Sequence, residues 1–121
     1  MAKEFTGTLK LRTPIMINGA LCSEIPYDFE ALTVTDMLDV DRARSAEGRA
    51  QPVLPKFEGY TQFMLFCAAV AKRNAHIAPE DLRRLSARDG MAAQELARDF
   101  LLDSSADGEP ETSDAQSPTS L

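Results

Sequence analysis

The side chains that could carry chemistry in this chain of 121 residues are few: one histidine, His76, and two cysteines, Cys22 and Cys67. The cysteines are far apart in sequence and form no CxxC pair, and three soft ligands are too few for the usual four-coordinate zinc site. Cys67 lies inside an apolar run, where a free cysteine behaves as a small hydrophobe and is expected to be buried. His76 follows Asn74-Ala75 and reads as a solvated loop residue. Asp36, Asp39 and Asp41 lack the one-three-five spacing of a calcium loop, its glycine at the sixth position and its glutamate at the twelfth, so they read as helix-surface acids. No glycine-rich phosphate loop, GxSxG elbow or Cys/His pair occurs, and scattered carboxylates do not define a general acid and base. The sequence therefore predicts a non-enzymatic protein with no catalytic residue, no metal and no cofactor.

Charge narrows the partner class. Of 19 acids, Asp103, Asp107, Glu109, Glu111 and Asp114 fall in residues 103–121 without a base, which leaves 14 acids against 13 bases in residues 1–102. A nearly neutral body lacks the positive field that drives phosphate binding by counterion release, so no nucleic-acid partner is expected. Arg83, Arg84 and Arg88 are the densest basic cluster, and Asp81 and Asp89 interleave with them as on a solvated helix face. Residues 79–100 have the outline of a helix-turn-helix. Their second helix sets Asp89, Glu95 and Asp99 against Arg88 and Arg98, however, and offers only Gln94 for base reading. The start, MAKEFTGTLK, has no apolar signal core, and no segment approaches the ~20 apolar residues of a membrane span, so a cytoplasmic protein with no membrane partner is expected.

The elements that must position these residues follow from periodicity. Phe5, Leu9 and Leu11 alternate with Thr6, Thr8 and Lys10, and Arg12-Thr13-Pro14 breaks the run. Ile15–Ile17 and Ala20–Cys22 flank Asn18-Gly19, which suits the positive φ values of a two-residue hairpin turn. Ile25, Tyr27, Phe29 and Ala31 alternate again, with Pro26 pushing that strand to an edge. These signals predict an antiparallel sheet of about three strands over residues 1–31.

Residues 32–102 read as a three- to four-helix bundle, making an α+β domain over residues 1–102. Thr33 and Asp36 form a capping box, with Val34, Met37 and Leu38 as the expected inner face and Asp39/Arg42 and Asp41/Arg44 as surface pairs. That helix ends near Glu47-Gly48, and a loop with Pro52 and Pro55 follows. Residues 57–74 form the next helix, whose run Phe63–Ala71 is apolar on all sides. A Tyr60, Phe63, Met64, Cys67 stripe is assigned to the core, which leaves Leu65 and Phe66 facing out for a partner. The surplus apolar surface also predicts pairing with a second copy. Pro79-Glu80-Asp81 opens a short helix ending at Leu85. Ser86 caps a last helix with Ala93, Leu96, Ala97, Phe100 and Leu101 on one face. Residues 103–121 have no large apolar side chain except Leu121 and read as a disordered acidic tail.

The N-terminal strands, then Leu32-Thr33-Val34 with Asp36 and Leu38, then Pro79-Glu80-Asp81-Leu82 and Asp89 ahead of Gln94-Glu95-Leu96, resemble the tail assembly chaperones of Mu-like, contractile-tailed phages over residues 5–102. The resemblance implies a helper that binds the tape measure protein and keeps it soluble until tail tube subunits polymerise around it. The major tail tube protein is then a second partner, the host cytoplasm the compartment, and the mature virion lacks the chaperone. The chain departs from the family in Asn74-Ala75-His76, where a glycine-containing turn is commoner, and in its acidic tail. Helix-in-groove binding of such a client calls for adaptable aromatic, leucine and methionine side chains. Leu65, Phe66, Met91, Phe100 and Leu102 are the candidate partner-binding residues, with Met37 and Met64 nearby. The alternatives are a small DNA-binding regulator and a minor virion structural protein. Deleting residues 104–121 is expected to leave the melting temperature within a couple of degrees, since changes that touch no core are worth about ±0.5 kcal/mol; a larger drop would mean that the segment packs.

Overall fold

The computed structural model describes residues 5–107, with side chains for 5–103. Strands β1 (Thr6–Ile17) and β2 (Ala20–Asp28) form an antiparallel hairpin. Asn18 and Gly19 join them at φ of 51° and 83°, the double positive φ that Asn-Gly accommodates with least strain. Among the described residues the sheet has two strands, not the three expected. The Arg12-Thr13-Pro14 break is a bulge within β1 rather than its end. Pairing runs from Thr6↔Asp28 to Lys10↔Glu24 and resumes at Ile15↔Cys22, so residues 11–14 face Ser23 alone. Pro26 stands opposite Thr8 inside β2, tolerated because each strand of a two-stranded sheet has an unpaired edge where no N–H is needed. β2 stops at Asp28, whose carboxylate accepts the Glu30 N–H at 2.9 Å and opens a 3-10 turn, Phe29–Ala31, where alternation alone predicts more strand.

Four helices follow among the described residues: α1 (Val34–Ala46), α2 (Gly59–Arg73), α3 (Pro79–Leu82) and α4 (Ala87–Asp107). The α1 capping box is closed in both directions: Thr33 N–H donates to Asp36 at 2.7 Å and Asp36 N–H to the Thr33 hydroxyl at 3.4 Å. Gly48, at φ 74°, follows its C-cap, Glu47. Glu58 caps α2 by accepting the Thr61 N–H at 3.1 Å. α3 is a single turn, shorter than the expected helix to Leu85, with Asp81 accepting the Ala78 N–H at 3.0 Å. Ser86 caps α4 by accepting the Asp89 N–H at 3.2 Å. α4 continues to Asp107, past the expected domain limit at residue 102. The rest of the expected disordered tail, residues 108–121, lies outside the described residues.

The hairpin packs its inner face on α2 and α4. Ile15, Ile17, Ile25, Phe29, Phe66, Val70, Ala93 and Ala97 are buried together. Aromatic rings bind the layers: Phe29 stacks on Phe100 at 5.3 Å between centroids, Phe5 meets Phe100 edge-on at 5.3 Å, and Phe66 sits 6.4 Å from Phe29. Ala93 and Ala97 keep α4 slim where it crosses α2. At Gly59 a Cβ would stand 3.0 Å from Gln94 Nε2, which donates to the Gly59 carbonyl at 3.2 Å.

Two charged side chains are sealed into this framework. Arg44, read from sequence as part of the polar outer half of α1, is 1% exposed. It pairs with Asp41 at 2.6 Å, as the spacing predicts, reaches Glu58 at 3.0 Å and donates to the Thr61 hydroxyl. The α1 C-terminus is thereby tied to the α2 N-cap across the intervening loop. Asp89 is 2% exposed, and its carboxylate accepts the Arg12 and Thr13 N–H groups at 2.9 and 3.1 Å, the donors that the bulge takes out of the ladder. Burial alone would raise its pKa. The Arg12 and Thr13 amides, the Ser86 hydroxyl and the Arg12 charge outweigh that and hold it below the usual carboxylate range.

Asp89→Ala strands two backbone donors and is expected to cost about 3 kcal/mol by chemical denaturation at neutral pH. Because the folded-state pKa is depressed, the carboxylate's contribution is complete above the unfolded value of about 3.9 and fades as pH falls through the folded value. The difference between wild type and Asp89→Ala should therefore shrink as pH falls below the unfolded value; a difference independent of pH would exclude the ionised carboxylate as the cause.

Candidate functional site

The structure overturns most of the sequence reading of α2. Leu65 and Phe66, assigned to a partner, are 1% and 0% exposed, and Cys67, Ala69 and Val70 are buried with them. Of the stripe assigned to the core, Cys67 is buried as expected, whereas Tyr60, Phe63 and Met64 are only half-buried. The inner face is Gln62, Leu65, Phe66, Ala69 and Val70, an i, i+3, i+4, i+7, i+8 set. A run that is apolar on all sides has no periodicity from which to choose a face. Gln62 disguises the true stripe, although its amide is satisfied by the Lys56 carbonyl at 2.8 Å. The hairpin and α4 cover most of this run, leaving Phe63, Met64 and Ala68 half-buried and Ala71 exposed.

α1 is also turned from its expected orientation. Val34, Met37 and Leu38, read as its inner face, are 72%, 48% and 55% exposed, whereas Val40 and Arg44 are buried. Val40 packs with Leu65 and Leu101 beneath the helix, and the Arg44 anchor fixes the rotation. The crest of α1 therefore presents three large apolar side chains at i, i+3, i+4 spacing. A groove of about 220 Å³ separates α1 from the 51–55 segment, with Met37 and Pro55 on its walls and Val40 and Leu65 at its base. Beyond it Val53, Leu54 and Phe57 are also exposed. A second groove, of about 150 Å³, runs along the other flank between Asp39 and Met64 and Ala68. The crest and the two grooves beside it are exposed apolar surface that sequence reasoning missed, and Val53, Leu54 and Phe57 are exposed in the segment that follows α1. The available signal was three large apolar residues in a proline-containing loop, Val53, Leu54 and Phe57.

The remaining candidates are scattered. Phe100 is half-buried against Phe5 and Phe29, and Leu102 is exposed near the end of α4. Met91 is 64% exposed beside Arg12, Arg88 and Glu95. Leu65, Phe66, Met91, Phe100 and Leu102 thus do not converge on one patch.

Reactive groups do not gather here either. Burial pushes the Cys67 thiol up to about 12, far from a reactive thiolate. His76 is exposed, donates its N–H to Asn74 Oδ1 at 3.0 Å and accepts from Asn18 through its carbonyl at 3.1 Å. Among the described residues no three His, Cys, Asp or Glu side chains are grouped to hold a metal, and no helix is long and apolar enough to cross a membrane. Arg83 pairs with Glu47 at 3.0 Å, and Arg84 donates to the Met16 carbonyl, so both are engaged in tertiary contacts. Comparison with protein-family models, curated proteins and solved structures finds no match to this chain.

Burial reverses the expected outcome at α2. Phe66→Ala alone is expected to cost about 3–5 kcal/mol, and replacing Leu65 and Phe66 together with serine should unfold the protein. Circular dichroism at 25 °C checks this; a folded double variant would contradict the packing described above.

Proposed function

We propose that this protein binds another protein without catalysis and serves as a phage tail assembly chaperone, keeping the amphipathic helices of the tape measure protein soluble before the tail tube forms. The observation that carries the reading is the exposed crest of Val34, Met37 and Leu38, with the groove between Met37 and Pro55 beside it. Burying one such side chain is worth roughly 1.5–3 kcal/mol, so a crest left in water favours a partner that covers it. Its spacing matches the i, i+3, i+4 anchors of a second helix, and methionine adapts to varied client sequences. The resemblance of residues 5–102 to tail assembly chaperones supplies the client. The same reading implies action in the host cytoplasm, an encounter with the tail tube protein and absence from finished particles.

Coexpression is expected to raise the soluble yield of the tape measure protein of the same phage. Replacing Val34, Met37 and Leu38 with serine should leave the protein folded and weaken client binding by more than about tenfold, equivalent to 1.4 kcal/mol. A folded triple variant that still solubilises the client would move the binding surface elsewhere. A wild type that neither binds nor solubilises the client would end the chaperone reading.

A further inference from the structure

A cleft of about 290 Å³ on a different part of the molecule is lined by Arg49, Gly59, Tyr60, Phe63, Arg83 and Gln94. Its charge is unbalanced. Arg49 and Arg83 share one carboxylate, Glu47, at 3.5 and 3.0 Å, and the Tyr60 hydroxyl donates to that carboxylate at 2.8 Å. The Arg49 guanidinium lies 4.4 Å from the centre of the Tyr60 ring, which holds its planar fork in place. Among the described residues, the hydrogen bonds of the two guanidiniums go to Glu47 alone, through Arg49 Nε and one terminal nitrogen of Arg83. Both terminal nitrogens of Arg49 are left over, and both side chains are half-exposed. Two positive charges against one negative, with free donors in a fork that matches a carboxylate, define a site for an acidic group.

We propose that this cleft is the docking site of the chain's own acidic C-terminal segment, with Asp114 as the main contact and Glu111 on the approach. The segment beyond α4 carries Glu109, Glu111 and Asp114 and no base, so its charge complements the cleft. Gln94 stands at the cleft and α4 continues to Asp107, a rise of about 20 Å at 1.5 Å per residue. An extended chain from Asp107 to Asp114 covers about 23 Å, enough to return along the helix. A tethered carboxylate meets the cleft at an effective concentration on the order of millimolar, which favours it over a free acidic ligand. The segment thus acts as a built-in competitor: any partner that brings carboxylates to Arg49 and Arg83 must first displace it.

The test uses the full chain alone and does not depend on the proposed client. A nitroxide is attached to Thr112→Cys in a Cys22→Ser background, where buried Cys67 stays unlabelled, and amide NMR intensities are compared with the reduced label. At low salt the amides of Gly59, Tyr60, Arg83 and Gln94 should lose most of their intensity while Asn18 and Gly19 at the hairpin turn keep theirs. The loss should vanish when Arg49 and Arg83 are changed to glutamine. It should vanish equally when Glu109, Glu111 and Asp114 are replaced by their amides, changes that touch no residue of the fold described above. Broadening confined to the end of α4, or cleft broadening that survives neutralisation of the three acids, would overturn the proposal.

Discussion

Backbone amides that leave a β-ladder inside a protein must find another acceptor, because an unpaired buried N–H costs as much as a lost hydrogen bond. At Arg12 and Thr13 that acceptor is Asp89, 77 and 76 residues further along the chain. The carboxylate joins the bulged strand to the first turn of α4, and the rest of the arrangement follows from the joint. With α4 held there, Ala93 and Ala97 face the hairpin and α2, and Phe100 arrives between Phe5 and Phe29. The bulge that looks like a broken strand is thus the feature that receives the helix.

What could be read in the sequence was local. The Thr33/Asp36 box, the Asn18-Gly19 turn, the Asp39/Arg42 pair and the α4 stripe each depend on residues within a turn or two of one another, and each is present. The misreadings share a different cause. Arg12-Thr13-Pro14 breaks a strand only if nothing distant accepts its donors. α1 faces inward through Val34, Met37 and Leu38 only if Arg44 stays outside, and Arg44 is buried because Glu58 and Thr61 come from another element to meet it. In α2 the uniform apolar run leaves rotation about the helix axis to its neighbours. The exposed crest was hidden for the same reason: which side of a helix remains open is decided by what packs on the other side.

The two ends of α1 divide its duties. Arg44, Asp41 and Glu58 anchor the C-terminal half, and Val40 packs below, so the N-terminal half can hold Val34, Met37 and Leu38 in water without the helix rolling inward. A surface held open in this way needs little rearrangement before it receives a partner, which lowers the ordering cost of binding. The Arg49, Tyr60 and Arg83 cleft offers a separate, charged surface, so apolar and acidic groups would engage different parts of one small domain.

The aromatic cluster has a kinetic consequence. Its rings come from Phe5, Phe29, Phe66 and Phe100, positions that sample nearly the whole folded chain. Contacts of such sequence separation raise contact order and slow folding, because long loops must close before the burial that rewards them. During synthesis the hairpin and α2 emerge while Phe100 is still to be made, so the core lacks a wall until translation has passed α4. Until α4 has been made, the nascent chain therefore carries exposed apolar surface that Phe100 and its neighbours later close.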